Sequence, residues 1–138
     1  MSGWLLDTNV LSELRKGRRC DPGVSQWIAR AEDSELFLSV LVLGEIRKGI
    51  ERIRTVDPSQ AQVLEAWLRA TSQEHADRIL PVDERVADQW GRIGLSQPLP
   101  VLDALLAATA FCHDLTLVSR DTRGFRNARI RLLNPFSK

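Results

Sequence analysis

Hydrophobic and polar positions along this chain switch between two periods. Short apolar runs at 4–6, 35–38, 79–82, 115–118 and 130–133 read as strands. Between them, apolar residues recur every three or four positions and predict amphipathic helices. These stripes are Val10, Leu11 and Leu14; Val24, Trp27, Ile28 and Ala31; Leu43, Ile46 and Ile50; Ala61, Leu64, Trp67 and Leu68; and Val86, Trp90 and Ile93. A more uniformly apolar helix is predicted from about residue 102 to 113. Helix starts are marked by residues whose side chains accept from the first free amides: Asp7-Thr8-Asn9, Asp21-Pro22-Gly23, Ser39, Asp57-Pro58 and Asp83. Pro58 suits a first helical turn, and Pro98 with Pro100 holds the chain extended before the late helix. Strands that alternate with helices predict an α/β domain with a largely parallel sheet. In such sheets ligands gather beyond the carboxyl ends of the strands.

With 138 residues the chain is expected to form one domain, 1–138, around a single core. No apolar run approaches the roughly 18 residues of a membrane helix. Asp7, Asn9 and Glu13 interrupt any secretory apolar segment, so a cytoplasmic protein is expected. Cys20 and Cys112 lack motif spacing and are read as free thiols. The formal net charge of +1 argues against a protein that coats nucleic acid by charge alone. The basic residues nevertheless cluster, at 15–19, at Arg47, Lys48, Arg52 and Arg54, and at Arg120, Arg123, Arg126, Arg129 and Arg131. These are either solvated faces or a phosphate-binding rim, and charge alone does not choose between them.

Four carboxylates change the picture. Asp7 follows "WLL", Glu45 lies in "LFLSVLVLGEIRKGI", Asp103 interrupts "VLDALLAATAFC", and Asp121 follows "LTLVSR". Acids within or just beyond apolar segments are costly unless something compensates them. Asp7 and Asp121 fall past strand ends, while Glu45 and Asp103 fall in early helical turns, so one site is able to collect all four. Each has a plainer reading: a helix cap for Asp7, an ion pair with Lys48 for Glu45, a first-turn acid for Asp103, a turn residue for Asp121. Together they point to a shared divalent cation, because Mg²⁺ and Mn²⁺ prefer hard oxygen ligands. His75 and His113 are the only histidines, which gives no zinc pattern, and there is no Gly-rich phosphate loop.

"WLLDTNVLSEL", "LSVLVLGEIRKGIERI", "LPVLDALLAATAFCHDLTLVSRDTRGF" and "IRLLNPF" together resemble the PIN-domain ribonucleases, and within them the VapC/FitB-like toxins of bacterial toxin–antitoxin pairs. The resemblance spans nearly the whole chain in the family's order. It implies a three-layer α/β/α domain with a short, mainly parallel central sheet flanked by helices. It implies an endoribonuclease whose metal site, holding Mg²⁺ or Mn²⁺, is built from Asp7, Glu45, Asp103 and Asp121. Thr8 and Asn9 match supporting polar positions beside the first acid and, with Arg120 and Arg123, are the expected substrate contacts. The implied partners are RNA, a cognate antitoxin that blocks the acidic pocket, and a second copy of the chain; DNA is met only through the antitoxin. One departure stands out. Many relatives read Thr-Arg-Asn and then Asp-Phe, where this chain reads Ser119-Arg120-Asp121 and then Gly124-Phe125. Asp121 then has to stand in for the acid missing at Gly124. Two other readings remain open: a catalytically weak nucleic-acid-binding partner of a DNA-binding antitoxin, and a phosphatase-like hydrolase with Asp7 as nucleophile. The second lacks an acid two residues after Asp7.

Overall fold

The computed structural model describes residues 3–93 and 99–137. Five short strands, β1 (Trp4–Leu6), β2 (Leu36–Ser39), β3 (Ile79–Leu80), β4 (Thr116–Val118) and β5 (Leu132–Leu133), form one sheet in the order β3-β2-β1-β4-β5. Every pairing is parallel, with Leu5 opposite Phe37 on one side and Leu117 on the other. The helices are α1 (Thr8–Leu14), α2 (Pro22–Arg30), α3 (Val40–Arg54), α4 (Pro58–Glu74), α5 (Glu84–Arg92) and α6 (Val101–Cys112).

The predicted caps form. Asp7, Asp21, Ser39, Asp57 and Asp83 each accept from a first-turn amide, and Pro22 and Pro58 open their helices, where a missing N–H costs nothing. Leu5, Leu38 and Leu117, all fully buried on the three central strands, meet Val10, Val42 and Ala107 from α1, α3 and α6. Burial of each such leucine is worth roughly 1.5–3 kcal/mol.

Three expectations change in detail. The strand predicted at 79–82 stops at Leu80, because Pro81 has no N–H for the ladder. The last strand begins at Leu132 rather than Ile130, since Arg129 has left-handed backbone at φ 57°. On α5 only Val86 is buried; Trp90, expected in the core, is 41% exposed near the helix end. Pro100 is extended as predicted and stands directly before α6, whereas Pro98 lies outside the described residues. Cys20 and Cys112 are free thiols.

The order of the strands positions the site. From β1 the chain moves to β2 on one side of the sheet, and later returns to β4 on the other. That reversal opens a crevice at the carboxyl ends of β1 and β4. Asp7 follows β1 directly and Ser119 follows β4 directly. The ladder continues one step past both, with the Asp7 N–H donating to Val118 O at 2.9 Å and the Ser119 N–H to Leu133 O at 2.9 Å.

Candidate active site

Asp7 is buried, 8% exposed, at the mouth of this crevice. Its Oδ1 accepts from the Thr8 N–H at 2.8 Å and its Oδ2 from the Ser119 hydroxyl at 2.7 Å. Thus Asp7 does cap α1, as the plainer reading holds, but only one of its oxygens is engaged that way. Burial pushes the Asp7 carboxyl above its ordinary range; the Ser119 and Thr8 bonds oppose this, and repulsion from Glu45 and Asp121 adds to it.

Asp103, in the first turn of α6, is half-buried. Burial raises its carboxyl too, reinforced by repulsion from Asp7, Glu45 and Asp121. The four predicted acids are therefore near enough to feel one another's charge. Two are not buried as the surrounding apolar residues implied: Glu45 and Asp121 are exposed. Glu45 pairs with no lysine. Its Oε1 accepts instead from the Thr8 hydroxyl at 2.6 Å, which ties α3 to the start of α1. None of the four carboxylates forms an ion pair with a described residue. As they stand, no three acidic, histidine or cysteine side chains among the described residues are gathered closely enough to hold an ion. Two carboxylates at 4 Å repel by about 4 kcal/mol at an effective dielectric near 20, so uncompensated acids keep apart.

The turn after β4 completes the crevice. Ser119, fully buried, donates to Asp7 and accepts from the Asp121 N–H at 3.1 Å and from Asn9 Nδ2 at 3.4 Å. Asn9 Oδ1 in turn accepts from the Arg120 N–H at 3.1 Å. Ser119 was not among the predicted site residues; the signal for it was a hydroxyl directly after an apolar strand and two residues before an acid. Thr8 and Asn9, predicted as substrate contacts, hold Glu45 and the 119–120 turn. Asp121 Oδ1 accepts from the Gly124 N–H at 3.1 Å, which makes Asp121 both a neighbour of the acids and the cap of its own turn. Gly124 does not have positive φ. A Cβ there would lie 2.9 Å from Asp121 Oδ2, so an acid at 124 would displace the one at 121.

Beyond Asp121 lies an open concavity of about 670 Å³, lined by Arg120, Asp121, Arg123, Arg126, Leu132 and Asn134. The basic cluster on α3 has a different fate: Arg47 and Arg54 bind Glu51 and Glu65.

A family model for the PIN domain matches residues 4–130. The chain belongs to the PIN-domain family. Its parallel five-stranded sheet and flanking helices are the three-layer α/β/α arrangement that the resemblance implied. Toxin FitB of Neisseria gonorrhoeae is 31% identical over 138 residues, covering 96% of this chain and 97% of the relative. The VapC ribonuclease Y4jK of Sinorhizobium fredii is 31% identical over 144 residues, covering 96% of each. The solved structure of FitAB bound to an IR36 DNA fragment superposes with a TM-score of 0.86 at 30% identity, covering 96% of this chain and 94% of that one. No helix of this PIN domain, among the described residues, is long and apolar enough to cross a membrane.

Proposed function

We propose that this PIN domain is a metal-dependent endoribonuclease and the toxin of a toxin–antitoxin pair. The observation that carries the reading is the crevice at the carboxyl ends of β1 and β4, where four carboxylates repel one another and none has a cationic partner among the described residues. Such a set fits Mg²⁺ or Mn²⁺, since every donor is a hard oxygen. Asp7, Asp103 and Glu45 would hold the ion, and Asp121 would orient the attacking water or a second ion. When bound, such a cation supplies Lewis acidity and a water of lowered pKa.

The chain's own residues account for the rest. Ser119 and the Thr8 amide hydrogen-bond the Asp7 carboxylate and oppose the effect of its burial on the charged form. The Thr8 hydroxyl aims Glu45. Asn9 braces the turn that carries Arg120 and Asp121. Arg120 and Arg123 would contact substrate phosphates beside the acids. An antitoxin arginine inserted among these carboxylates would match both their charge and their fork geometry, and so inhibit the enzyme. The names of the relatives support the toxin and ribonuclease reading, and the DNA in the FitAB structure supports a toxin–antitoxin assembly that binds DNA, which this chain would meet only through its antitoxin. A homodimer that assembles further with its antitoxin, in the cytoplasm, completes the proposal.

A second reading rests on Gly124. If Asp121 serves only to cap its turn, the site lacks one acid and the protein is a weakly active nucleic-acid-binding partner. Incubating the purified chain with candidate RNAs, with and without Mn²⁺, and with phosphomonoesters alongside, separates the readings. Metal-dependent RNA cleavage that spares the phosphomonoesters is expected. Turnover of phosphomonoesters alone would favour the hydrolase with Asp7 as nucleophile, and no turnover at all the binding partner.

A further inference from the structure

We propose that the concavity beside Asp121 is a subsite for an RNA backbone phosphate neighbouring the one that is cleaved, held by Arg123 and Arg126 with Arg120. This deepens the nuclease reading and rests on it.

The first support is unbalanced charge. Three guanidinium groups line the concavity with one carboxylate, and that carboxylate, Asp121, is capped by Gly124. Arg120, Arg123 and Arg126 form no ion pair with any described residue. Arg47, Arg54, Arg69, Arg78, Arg92 and Arg131 each meet a carboxylate; what sets Arg120, Arg123 and Arg126 apart from the other arginines without an ion pair is that all three line one concavity. Like charges that share a concave surface raise each other's energy, and an anion there lowers it.

The second support is preorganisation. The Arg120 guanidinium stacks over the Phe136 ring, 4.6 Å from its centroid, and its backbone is fixed by Asn9. Phe136 is held by the C-terminal segment, where the Ser137 N–H and hydroxyl both donate to Asp21 at 2.9 and 2.7 Å. Arg123 and Arg126 project from a turn anchored by the fully buried Phe125 and closed by Arg126 N–H donating to Arg123 O at 3.3 Å. The guanidinium forks are thus presented from a hydrogen-bonded, anchored backbone, which reduces the ordering cost of binding.

The third support is position. Asp121 belongs to both the acidic crevice and the concavity, so a polyanion lying across the acids runs straight into the arginines. RNA carries a phosphate on every nucleotide and meets both regions with one strand. The volume, about 670 Å³, lies within the usual range of roughly 300–1,000 Å³ for ligand pockets. Leu132 offers an apolar wall to the nucleoside. Asn134, whose Oδ1 accepts from the Phe136 N–H at 3.0 Å, retains an amide NH₂ for it.

The test measures binding of a mixed-sequence 2′-O-methyl oligoribonucleotide to the full chain, without divalent metal, by fluorescence anisotropy across a salt series. The parent is compared with Arg123→Gln/Arg126→Gln; both side chains are exposed, and the melting temperature checks that the variant folds. The variant is expected to bind on the order of tenfold more weakly. Its log–log salt slope should flatten by about 0.7 for each phosphate it no longer neutralises. A single neutral methylphosphonate, walked along the strand, should weaken binding at one position in the parent and not in the variant. Equal salt slopes and equal methylphosphonate penalties in both proteins would overturn the subsite, while cleavage of RNA with Mn²⁺ by the parent would leave the nuclease reading standing. Arginine-dependent binding without any cleavage would reverse that outcome, sparing the subsite and removing the nuclease. Loss of affinity for a polyglutamate peptide, with oligonucleotide binding intact, would overturn the subsite in favour of an acidic protein partner.

Discussion

Between α3 and α4, Arg47 and Arg54 share Glu51 and Glu65, and the four side chains neutralise one another at distances of 2.6–3.1 Å. At the carboxyl ends of β1 and β4 the same kinds of group are sorted apart. Four carboxylates feel one another's charge there, three arginines line the concavity that Asp121 shares, and none of the seven is paired with the opposite charge among the described residues. The first region resembles a surface network that steadies a helix pair, where each ion pair is worth little. The second carries a cost that, under the proposed function, the ligand offsets by bringing the missing charges: cations for the acids, phosphates for the arginines.

The largest expected effect breaks the second region and leaves the first alone. Asp103→Asn should lower RNA cleavage by about 1,000-fold or more, because an amide forfeits several kcal/mol of attraction for a dication and its water. Asp103 lies in the first turn of a helix whose N-cap makes no side-chain hydrogen bond to lose, so the fold should persist in far-UV circular dichroism.

Asp121 sharpens the comparison. If it acts with the other acids, Asp121→Asn should cost about 100-fold in kcat, and Gly124→Asp should help little, because the new side chain collides with the carboxylate at 121. A harmless Asp121→Asn together with an activating Gly124→Asp would mean a depleted site, and would favour the weakly active binding partner.

Ser119→Ala removes the hydroxyl that donates to Asp7 and accepts from the Asp121 amide. A loss of about 10–100-fold is expected, concentrated in metal affinity, since the positioned ligand loses its orientation. It should recover in part at high Mn²⁺ and in Ser119→Thr, which a purely packing defect would not do.

The smallest effect lies in the neutralised region. Arg47 and Arg54 hold the Glu65 carboxyl down to about 2, from an ordinary 4.5. A depressed acid stabilises the fold above its unfolded pKa, and that stabilisation is lost as pH falls from 4.5 towards 2. Glu65→Gln should lower the melting temperature by only about 2 °C at neutral pH, flatten its decline across that acid window, and leave cleavage unchanged. Thermal melts at stepped pH, beside a neutral-pH cleavage assay, check all three.

Much of this was legible in the chain. Strand runs, helix stripes and caps were local signals, and the structure retains them with boundaries shifted by a residue or two where Pro81 or the turned backbone at Arg129 intervened. The four acids were visible as charges beside apolar runs. What the chain could not reveal were partners far apart in sequence: Ser119 beneath Asp7, Thr8 on Glu45, and Glu65 quenching an arginine cluster that read like a rim. Exposure was misjudged for a related reason. Glu45 sits among apolar neighbours in sequence and Trp90 follows Val86 at helical spacing, yet the packing turns both outward.

Whether the four carboxylates share a divalent cation is tested most directly by thermal denaturation with and without saturating Mn²⁺. The parent should melt higher with metal, by mass action on the folded state. Asp103→Asn should match or exceed the parent without metal, being relieved of repulsion, and should gain much less when Mn²⁺ is added. Equal Mn²⁺-dependent shifts in the two proteins would contradict the shared cation.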